Sequence, residues 1–274
     1  MWGQSRESLA LVDRARARGV DITMDQYPYT ASQTTIAALV PQWAQAGGLD
    51  ELLARFDDPE TRRRIRGEIA DRIEHDRGGG DPDNVVISLC EWDRTLEGQS
   101  LADILAGRNV ASDFVTAADL VMELIQRGGA RAIYHAMDES DVERIMQHPS
   151  TMVGSDGGVS VFGAGVPHPR EYGTFPRVLG RYVRERGVLT LEEAVRKMSG
   201  ATAQRLGLQQ RGLLQEEFYA DITVFDPELV GDRATFESPH QYAVGVQYVI
   251  VNGHLVIDQG EHTGARPGRV LYGP

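Results

Sequence analysis

The stretch TMVGSDGG, Thr151–Gly158, indicates the fold. Its apolar start predicts a short strand over Thr151–Ser155, which ends at Asp156 and two glycines. Upstream of it, Ala130–Tyr134 predicts another strand and Glu139–Gln147 a helix. Alternation of strands and helices is typical of parallel β/α units, so the sequence predicts an α/β fold.

The pattern continues toward the start of the chain. Ser5–Arg18 predicts an amphipathic helix and Val20–Asp25 a strand. Tyr27-Pro28-Tyr29 terminates that strand, because proline cannot donate a hydrogen bond to a sheet. Residues 31 to about 130 are predicted to be mostly helical, with the clearest helix over Pro59–His75.

Two further patterns complete the outline. Val85–Leu89 predicts a short strand within the helical region, and Leu191–Leu206 predicts a helix after the glycine-rich loop. Near the end of the chain, Asn252-Gly253 lies between two apolar segments, which is a strong hairpin signal. A small β module therefore follows the α/β part.

The composition excludes several classes of protein. The chain has 274 residues, of which 41% are hydrophobic and 25% charged, as in ordinary globular proteins. A net charge of −12 without a basic stripe argues against a nucleic-acid partner. No run approaches the roughly 18 apolar residues of a membrane span, and the first residues lack the apolar core of a secretory signal. One cysteine, Cys90, allows no intrachain disulfide and predicts a reducing cytoplasm.

Lys197 is the only lysine among 28 basic residues, and the others are arginine. Together with 30 glycines, this bias is typical of a GC-rich bacterial genome. It indicates nothing about function by itself.

Asp156 and Arg170 are the strongest candidates for chemistry. An aspartate at the carboxyl end of a strand, in a β/α fold, faces the loops where catalysis takes place, and it can ligate a metal or accept a proton. The alternative is a turn or helix-cap aspartate. Arg170, in His168-Pro169-Arg170, can hold a substrate carboxylate through its guanidinium, or it can form a surface salt bridge.

The remaining candidates carry weaker signals. Tyr27 and Tyr29 follow a predicted strand and are either packing residues or hydroxyl donors that line a pocket. His135 is more typical of a core residue than of a ligand, and the histidines show no HxH or HxxxH spacing. The chain therefore contains no evident complete metal site. Cys90 has no histidine nearby in the sequence, which argues against a cysteine nucleophile.

Seven segments together resemble the N-acyl-D-amino-acid deacylases, the D-aminoacylases of the metal-dependent amidohydrolase superfamily. The resemblance covers nearly the whole chain, and GSDG followed by HPR and GTFPRVL is its most specific part. The segments are Asp25–Ser32, Leu96–Leu105, Met152–Gly158, His168–Glu185, Leu189–Leu208, Tyr219–Pro227 and His262–Leu271.

The resemblance implies a fold. Residues 1–208 would form the C-terminal part of a TIM-like β/α barrel, with a helical insertion at about 31–128. The first strand would be barrel strand six, Ala130–Tyr134 strand seven and Thr151–Ser155 strand eight. Residues 209–274 would supply the C-terminal part of a small β-sandwich.

The resemblance also implies a reaction, the hydrolysis of the amide bond of N-acyl-D-amino acids with zinc as the cofactor. Asp156 corresponds to the aspartate that takes the proton of the attacking water and passes it to the leaving amine, and it is also a candidate metal ligand. Arg170 corresponds to the residue that binds the substrate α-carboxylate. Tyr27, Tyr29 and His168 are further candidates for substrate binding.

The sequence departs from the family in its metal ligands. The HxH pair, a bridging cysteine and a strand-five histidine would all precede residue 1, and Asp25–Tyr27 holds no histidine where some relatives carry one. Three strands also cannot close a barrel of eight.

Three explanations stay open at this point. The sequence is a piece of a deacylase, its N-terminal half comes from a separate polypeptide, or it folds alone and binds a partner through exposed strand edges. A hydantoinase-like or dipeptidase-like reaction is the alternative chemistry.

Overall fold

A computed structural model of the chain describes residues 2–272. Its helices are α1 (Ser5–Ala17), α2 (Gln42–Gln45), α3 (Leu49–Asp57), α4 (Pro59–His75), α5 (Leu101–Gly107), α6 (Phe114–Gln126), α7 (Glu139–Gln147), α8 (Arg170–Arg177), α9 (Leu191–Met198) and α10 (Gly200–Arg205). Its strands are β1 (Met24–Gln26), β2 (Ser32–Thr35), β3 (Val85–Leu89), β4 (Arg131–Tyr134), β5 (Thr151–Val153), β6 (Ile222–Phe225), β7 (Val246–Val251), β8 (His254–Asp258) and β9 (Glu261–His262).

The first of two units contains Tyr29–Glu139 and Ser160–His168, together with Trp2 and Gly3. It has a three-stranded antiparallel sheet in the order β2-β4-β3, so that β4 is the central strand. Helices α2 to α6 belong to the same unit, and α4 packs against α6. The core of this unit is almost entirely aliphatic.

Helix α4 shows why these helices form where they do. The Asp58 carboxylate caps its first turn by accepting a hydrogen bond from the Thr61 amide at 2.8 Å, and Pro59 begins the helix. Ile65, Ile69 and Ile73 recur at every fourth position and are fully buried, while most of the other side chains are charged. Within residues 2–272, no helix has the length and apolar character that a bilayer span requires.

The second unit contains Gln4–Pro28, Ser140–Val159 and the chain from Pro169 onward. Strands β1 and β5 pair in parallel, with Met24 opposite Thr151 and Gln26 opposite Val153. A buried apolar cluster includes residues of α7, β5 and the π-helix Val178–Glu185. Its members are Val142, Met146, Val153, Val178, Leu179, Tyr182, Leu189, Ala194 and Val230.

The end of the second unit is a four-stranded antiparallel sheet in the order β6-β7-β8-β9. The predicted hairpin is confirmed, since Val251 pairs with His254 across Asn252-Gly253. Asn252 and Gly253 have φ values of 48° and 77°, and this left-handed backbone is the geometry that the favoured two-residue turns require.

One prediction about the strands is wrong. Ala130–Tyr134 does form a strand, but β4 pairs antiparallel with β2 and β3 instead of lying between parallel barrel strands. The physical reason is that β1 and β5 pair directly with each other, which leaves no place for a strand between them. Strand β2 also lies in a region that the sequence predicts as mostly helical.

We expect Ile69→Ala to destabilise the first unit. The substitution removes a fully buried side chain from a close-packed core, which costs about 2 to 5 kcal/mol of unfolding free energy. Urea unfolding of the variant beside Arg63→Ala, an exposed position on the same helix, measures the difference. Equal stabilities of the two variants would contradict the packing described for α4.

We expect a pH-dependent contribution from Glu193 on α9. Hydrogen bonds from Arg196, and then the charges of Arg196 and Lys197, lower the pKa of Glu193 from 4.5 to about 2. A lowered carboxyl pKa stabilises the fold above about pH 4.5 and loses that contribution as the pH falls toward 2. Glu193→Gln should therefore cost about 1 kcal/mol near neutral pH, a value reduced for partial exposure, and less near pH 3.

Urea unfolding at the two pH values measures this effect, with Glu192→Gln as the matched control. Glu192 is the exposed neighbour on the same helix. If Glu193→Gln lowers the unfolding free energy by the same amount at both pH values, the ionised carboxylate does not supply that stability.

Candidate functional site

Asp156 stands three residues beyond β5, on the loop that leaves the parallel strand pair. The Gly154 amide extends the pairing by donating to the Gln26 carbonyl at 3.0 Å, so the backbone is held almost up to Asp156. Asp156 has a φ of 46°, in the left-handed region that aspartate enters more readily than most residues. Its side chain is 70% exposed, which leaves the carboxylate accessible.

Arg170 lies against this aspartate. It is the first residue of α8, its side chain is only 5% exposed, and its Nη2 donates to Asp156 Oδ2 at 2.8 Å. The guanidinium also lies 4.7 Å from the centre of the Tyr27 ring, within the range of a cation–π interaction. The structure thus brings together Asp156, Arg170 and Tyr27, all of them candidates from the sequence.

The turn that carries Tyr27 is fixed from the other side. The Pro28 carbonyl accepts hydrogen bonds from Arg177 Nε at 2.8 Å and from the Tyr182 hydroxyl at 3.3 Å. Arg177 is itself paired with Asp232 at 2.9 Å. Pro28 has no amide hydrogen to donate, so its backbone is anchored through the carbonyl. The ring of Tyr27 is therefore held next to Arg170 by a supported backbone.

The Asp156 loop approaches α8 closely at Gly157. A Cβ on Gly157 would lie 3.1 Å from Glu171 Cα and 3.2 Å from the Arg170 carbonyl oxygen, both of which are backbone atoms. A Cβ on Gly158 would meet only Glu171 Oε1, at 3.8 Å. The glycine at 157 is therefore needed for the approach that puts Asp156 within reach of Arg170, whereas the glycine at 158 is not.

Tyr29 and His168 belong to the first unit. His168 is fully buried, and its Nε2 donates to the Ala31 carbonyl at 2.9 Å. The Tyr29 ring is also buried and meets the imidazole edge to face, with the ring centres 5.0 Å apart. These contacts stabilise the chain around Tyr29–Ala31. A role of Tyr29 and His168 in substrate binding stays a prediction from the sequence.

The described residues do not fit a complete metal site. No group of three or more histidine, cysteine, aspartate or glutamate side chains between Trp2 and Tyr272 lies close enough together to hold an ion. Asp156 is paired with Arg170, and His148 is hydrogen-bonded to Asp13 at 3.0 Å. Cys90 is buried, and burial raises the pKa of its thiol, which disfavours the thiolate that binds zinc.

Glu171 is a feature of this site that the sequence analysis did not select. Its Oε2 is buried and has no hydrogen-bond partner in the described part of the chain. A carboxylate oxygen in that state favours an N–H or O–H donor brought by a ligand. The signal in the sequence that could have identified Glu171 is its position directly after the His168-Pro169-Arg170 motif.

Comparisons with known proteins point to one family. The model of the Amidohydrolase family matches residues 1–257. The chain is 40% identical over 270 residues to N-acyl-D-glutamate deacylase of Alcaligenes xylosoxydans xylosoxydans, covering 98% of the chain and 45% of that protein. It is 38% identical over 270 residues to D-aminoacylase of the same organism, covering 98% and 46%. The chain thus spans less than half the length of these curated relatives.

Solved structures agree with this result. The crystal structure of N-acyl-D-glutamate deacylase from Bordetella bronchiseptica, complexed with zinc and a phosphonate inhibitor that mimics the tetrahedral intermediate, matches with a TM-score of 0.74 at 39% identity. The match covers 98% of this chain and 46% of that one. A D-aminoacylase structure, concerned with the role of its binuclear metal centre, matches with a TM-score of 0.72 at 38% identity, covering 96% and 45%. The α/β fold predicted from the sequence is confirmed.

We expect Gly157→Ala to disturb the site and Gly158→Ala to leave it intact. The first methyl group would press on two backbone atoms that cannot move independently, which costs about 1 to 3 kcal/mol of unfolding free energy. The second has ordinary van der Waals room. Urea unfolding together with the NMR signals of the Asp156 carboxyl and the Arg170 guanidinium measures both effects. Identical behaviour of the two variants would contradict the close approach at Gly157.

Proposed function

Because the chain belongs to the amidohydrolase family, we propose that it supplies part of the active site of an enzyme that hydrolyses the amide bond of N-acyl-D-amino acids. The products are a carboxylate and a free D-amino acid. One observation carries the proposal: an accessible Asp156 lies 2.8 Å from a buried Arg170, in a chain that matches the named deacylases over nearly its whole length.

In this proposal Asp156 is the general base and then the general acid. Its carboxylate takes a proton from the attacking water at an Oδ atom and delivers it to the amide nitrogen as the C–N bond breaks. The exposed position at the end of β5 suits a group that must meet both water and substrate. The anchored backbone before it suits a group whose distance to the reacting atoms matters.

Arg170 is proposed to bind the substrate α-carboxylate. Guanidinium groups match carboxylates in geometry and charge, and Tyr27 restricts the plane in which this guanidinium can lie. In the structure Asp156 and Arg170 neutralise each other. A substrate carboxylate would compete with Asp156 for Arg170, so its binding would release Asp156 to act as a base.

Zinc is proposed only for the complete enzyme. Structural zinc sites take four protein ligands and catalytic sites take three, whereas no group of three or more candidate ligands lies together within residues 2–272. Asp156 is the candidate ligand that the sequence predicts. The other ligands would come from the part of the relatives that the chain does not span.

The finer architecture is proposed on the same basis. Strands β1 and β5 would be neighbouring strands of a TIM-like β/α barrel within residues 1–208, and the sheet β6–β9 would be part of a β-sandwich within residues 209–274. The insertion at about 31–128 would correspond to most of the first unit. A cytoplasmic location stays a prediction from the single cysteine.

The test joins the chain to the segment of the Alcaligenes N-acyl-D-glutamate deacylase that it does not cover. We expect this fusion, supplied with zinc, to release D-amino acids from N-acetyl-D-glutamate, N-acetyl-D-aspartate or a neutral N-acyl-D-amino acid. Asp156→Asn should lower kcat by about 10²- to 10⁴-fold, the usual contribution of a general acid–base. It should not raise KM, because the substrate carboxylate would no longer compete with the Asp156 charge for Arg170. Arg170→Met should mainly raise KM.

Two variants serve as matched controls. Asp226→Asn changes an aspartate that lies just beyond another strand, β6. Arg211→Met changes an arginine that, like Arg170, pairs with an aspartate and stacks on a tyrosine, here Asp221 and Tyr219. Normal turnover in the Asp156→Asn fusion would overturn the proposal, and turnover of cyclic amides alone would move the chain to the hydantoinase-like alternative.

A further inference from the structure

Lys197 is the only lysine in the sequence, and the function proposed above gives it no role. It lies in the last turn of α9, and its side chain is 0% exposed. Lysine is among the residues that are almost never fully buried unless their charge is paired. Its surroundings therefore need an explanation.

Three acceptors surround the ammonium group. Nζ donates to the His148 carbonyl at 2.6 Å and to the Thr151 carbonyl at 2.9 Å, and it lies 3.5 Å from Glu193 Oε1. An ammonium has three N–H donors, and three acceptor oxygens surround it here. This environment therefore suits the charged form of Lys197. Burial lowers the pKa of Lys197, and the Glu193 charge opposes that shift. Two of the three acceptors belong to the backbone, so the side chain holds main-chain segments in place.

The two carbonyls belong to adjoining elements. His148 directly follows α7, and Thr151 is the first residue of β5. A positive charge at the end of α7 also compensates the partial negative charge of a helix C-terminus. One side chain therefore joins α9, the end of α7 and the start of the strand that leads to Asp156.

The opposite edge of this strand is held by β1. The Met24 amide donates to the Ser150 carbonyl at 3.0 Å, and the Gly154 amide donates to the Gln26 carbonyl at 3.0 Å. Thr151 and Gly154 thus mark the two ends of the segment that has to be fixed, and Asp156 lies two residues beyond Gly154. The His148 carbonyl also accepts from the Thr151 amide at 3.0 Å, whereas the Thr151 carbonyl has Lys197 as its donor. Without Lys197, the Thr151 carbonyl would lose that donor, and the start of β5 would lose a support.

We propose that Lys197 is a positioning residue for Asp156, which fixes β5 by donating to the backbone at its start. The proposal rests on the role assigned to Asp156 above. The residue type supports it: this chain uses arginine at every other basic position, but a planar guanidinium has five donors in a fixed fork, and these three acceptors match an ammonium.

The test is amide hydrogen exchange in the full 274-residue chain. We expect Lys197→Met to accelerate exchange of the Gly154 amide at least about tenfold more than exchange of the Asp226 amide, which donates to the Gly245 carbonyl at 2.9 Å in the C-terminal sheet. A merely structural role would lower global stability and accelerate both amides by the same factor. That result, or no acceleration at Gly154, would overturn the proposal.

Arg196→Met is the matched control. Arg196 is the exposed neighbour of Lys197 and shares its partner Glu193, with bonds of 2.7 and 2.8 Å. It donates to the Pro149 carbonyl at 3.2 Å, but to neither the His148 nor the Thr151 carbonyl. We expect this variant to leave Gly154 exchange within about twofold of the wild type. Equal acceleration in both variants would assign the effect to the contacts of Arg196 with Glu193 and the Pro149 carbonyl, and it would overturn the role of Lys197.

A second measurement needs no variant and applies even if Lys197→Met fails to fold. Selective ¹⁵N-lysine labelling of the wild type gives one side-chain signal, because the chain has one lysine. We expect a hydrogen-bonded ammonium that exchanges slowly with water, and the rapid exchange of an exposed lysine would overturn the proposal. These readouts do not depend on turnover, so they stay valid if the proposed hydrolysis fails. In the active fusion, Lys197→Met should lower kcat and leave KM nearly unchanged.

Discussion

The parallel pairing of β1 with β5 is the interaction on which the candidate site depends. It joins two segments that are far apart in the sequence, and both candidate loops leave from the same end of this pair. Parallel strands run in one direction, so the residues that follow them emerge at one edge. Tyr27 follows β1 and Asp156 follows β5, and their convergence near Arg170 is a consequence of strand direction before any side-chain contact is considered.

The electrostatics of the site follow from an asymmetry in burial. Arg170 is almost completely enclosed, whereas Asp156 is largely exposed, so the ion pair extends from the protein interior into solvent. Removing the aspartate would leave a buried cation without that partner, and this is costly. The arginine therefore needs an anion at this position, and either Asp156 or a carboxylate ligand can meet that requirement. In the proposed function, a substrate carboxylate would therefore bind Arg170 by exchange with Asp156.

Patterns within one segment of the sequence predicted the helices and strands that depend mainly on residues of that same segment. Pro59–His75, Val85–Leu89 and Glu139–Gln147 have the predicted bounds, because the proline start, the β-branched run and the helical periodicity lie within each segment. Ser32–Thr35 was missed because its polar sequence becomes a strand only by pairing with β4. The strand predicted over Val20–Asp25 forms instead at Met24–Gln26, where its partner Thr151–Val153 lies.

The same distinction applies to the site. Asp156 and Arg170 were recognisable from their positions in the sequence, but their mutual pairing depends on close contact between a loop and a helix that only the fold provides. Lys197 was visible as a compositional exception, yet its meaning depends on two backbone carbonyls 46 and 49 positions away. Sequence reasoning therefore identifies residue types suited to a reaction, whereas the residues that orient them become visible through backbone contacts.

The contacts of the second unit separate two requirements of amide hydrolysis. Proton transfer and carboxylate recognition need groups at fixed distances, and the strand pair, the anchored Pro28 carbonyl and the buried Lys197 ammonium supply that rigidity within this unit. Activation of the carbonyl and of water by a metal needs several converging ligands, and no group of three or more candidate ligands lies together among the described residues. In the proposed function, a chain with the first set and without the second would form one side of an active site. Hydrolysis would then require a second set of residues that faces Asp156.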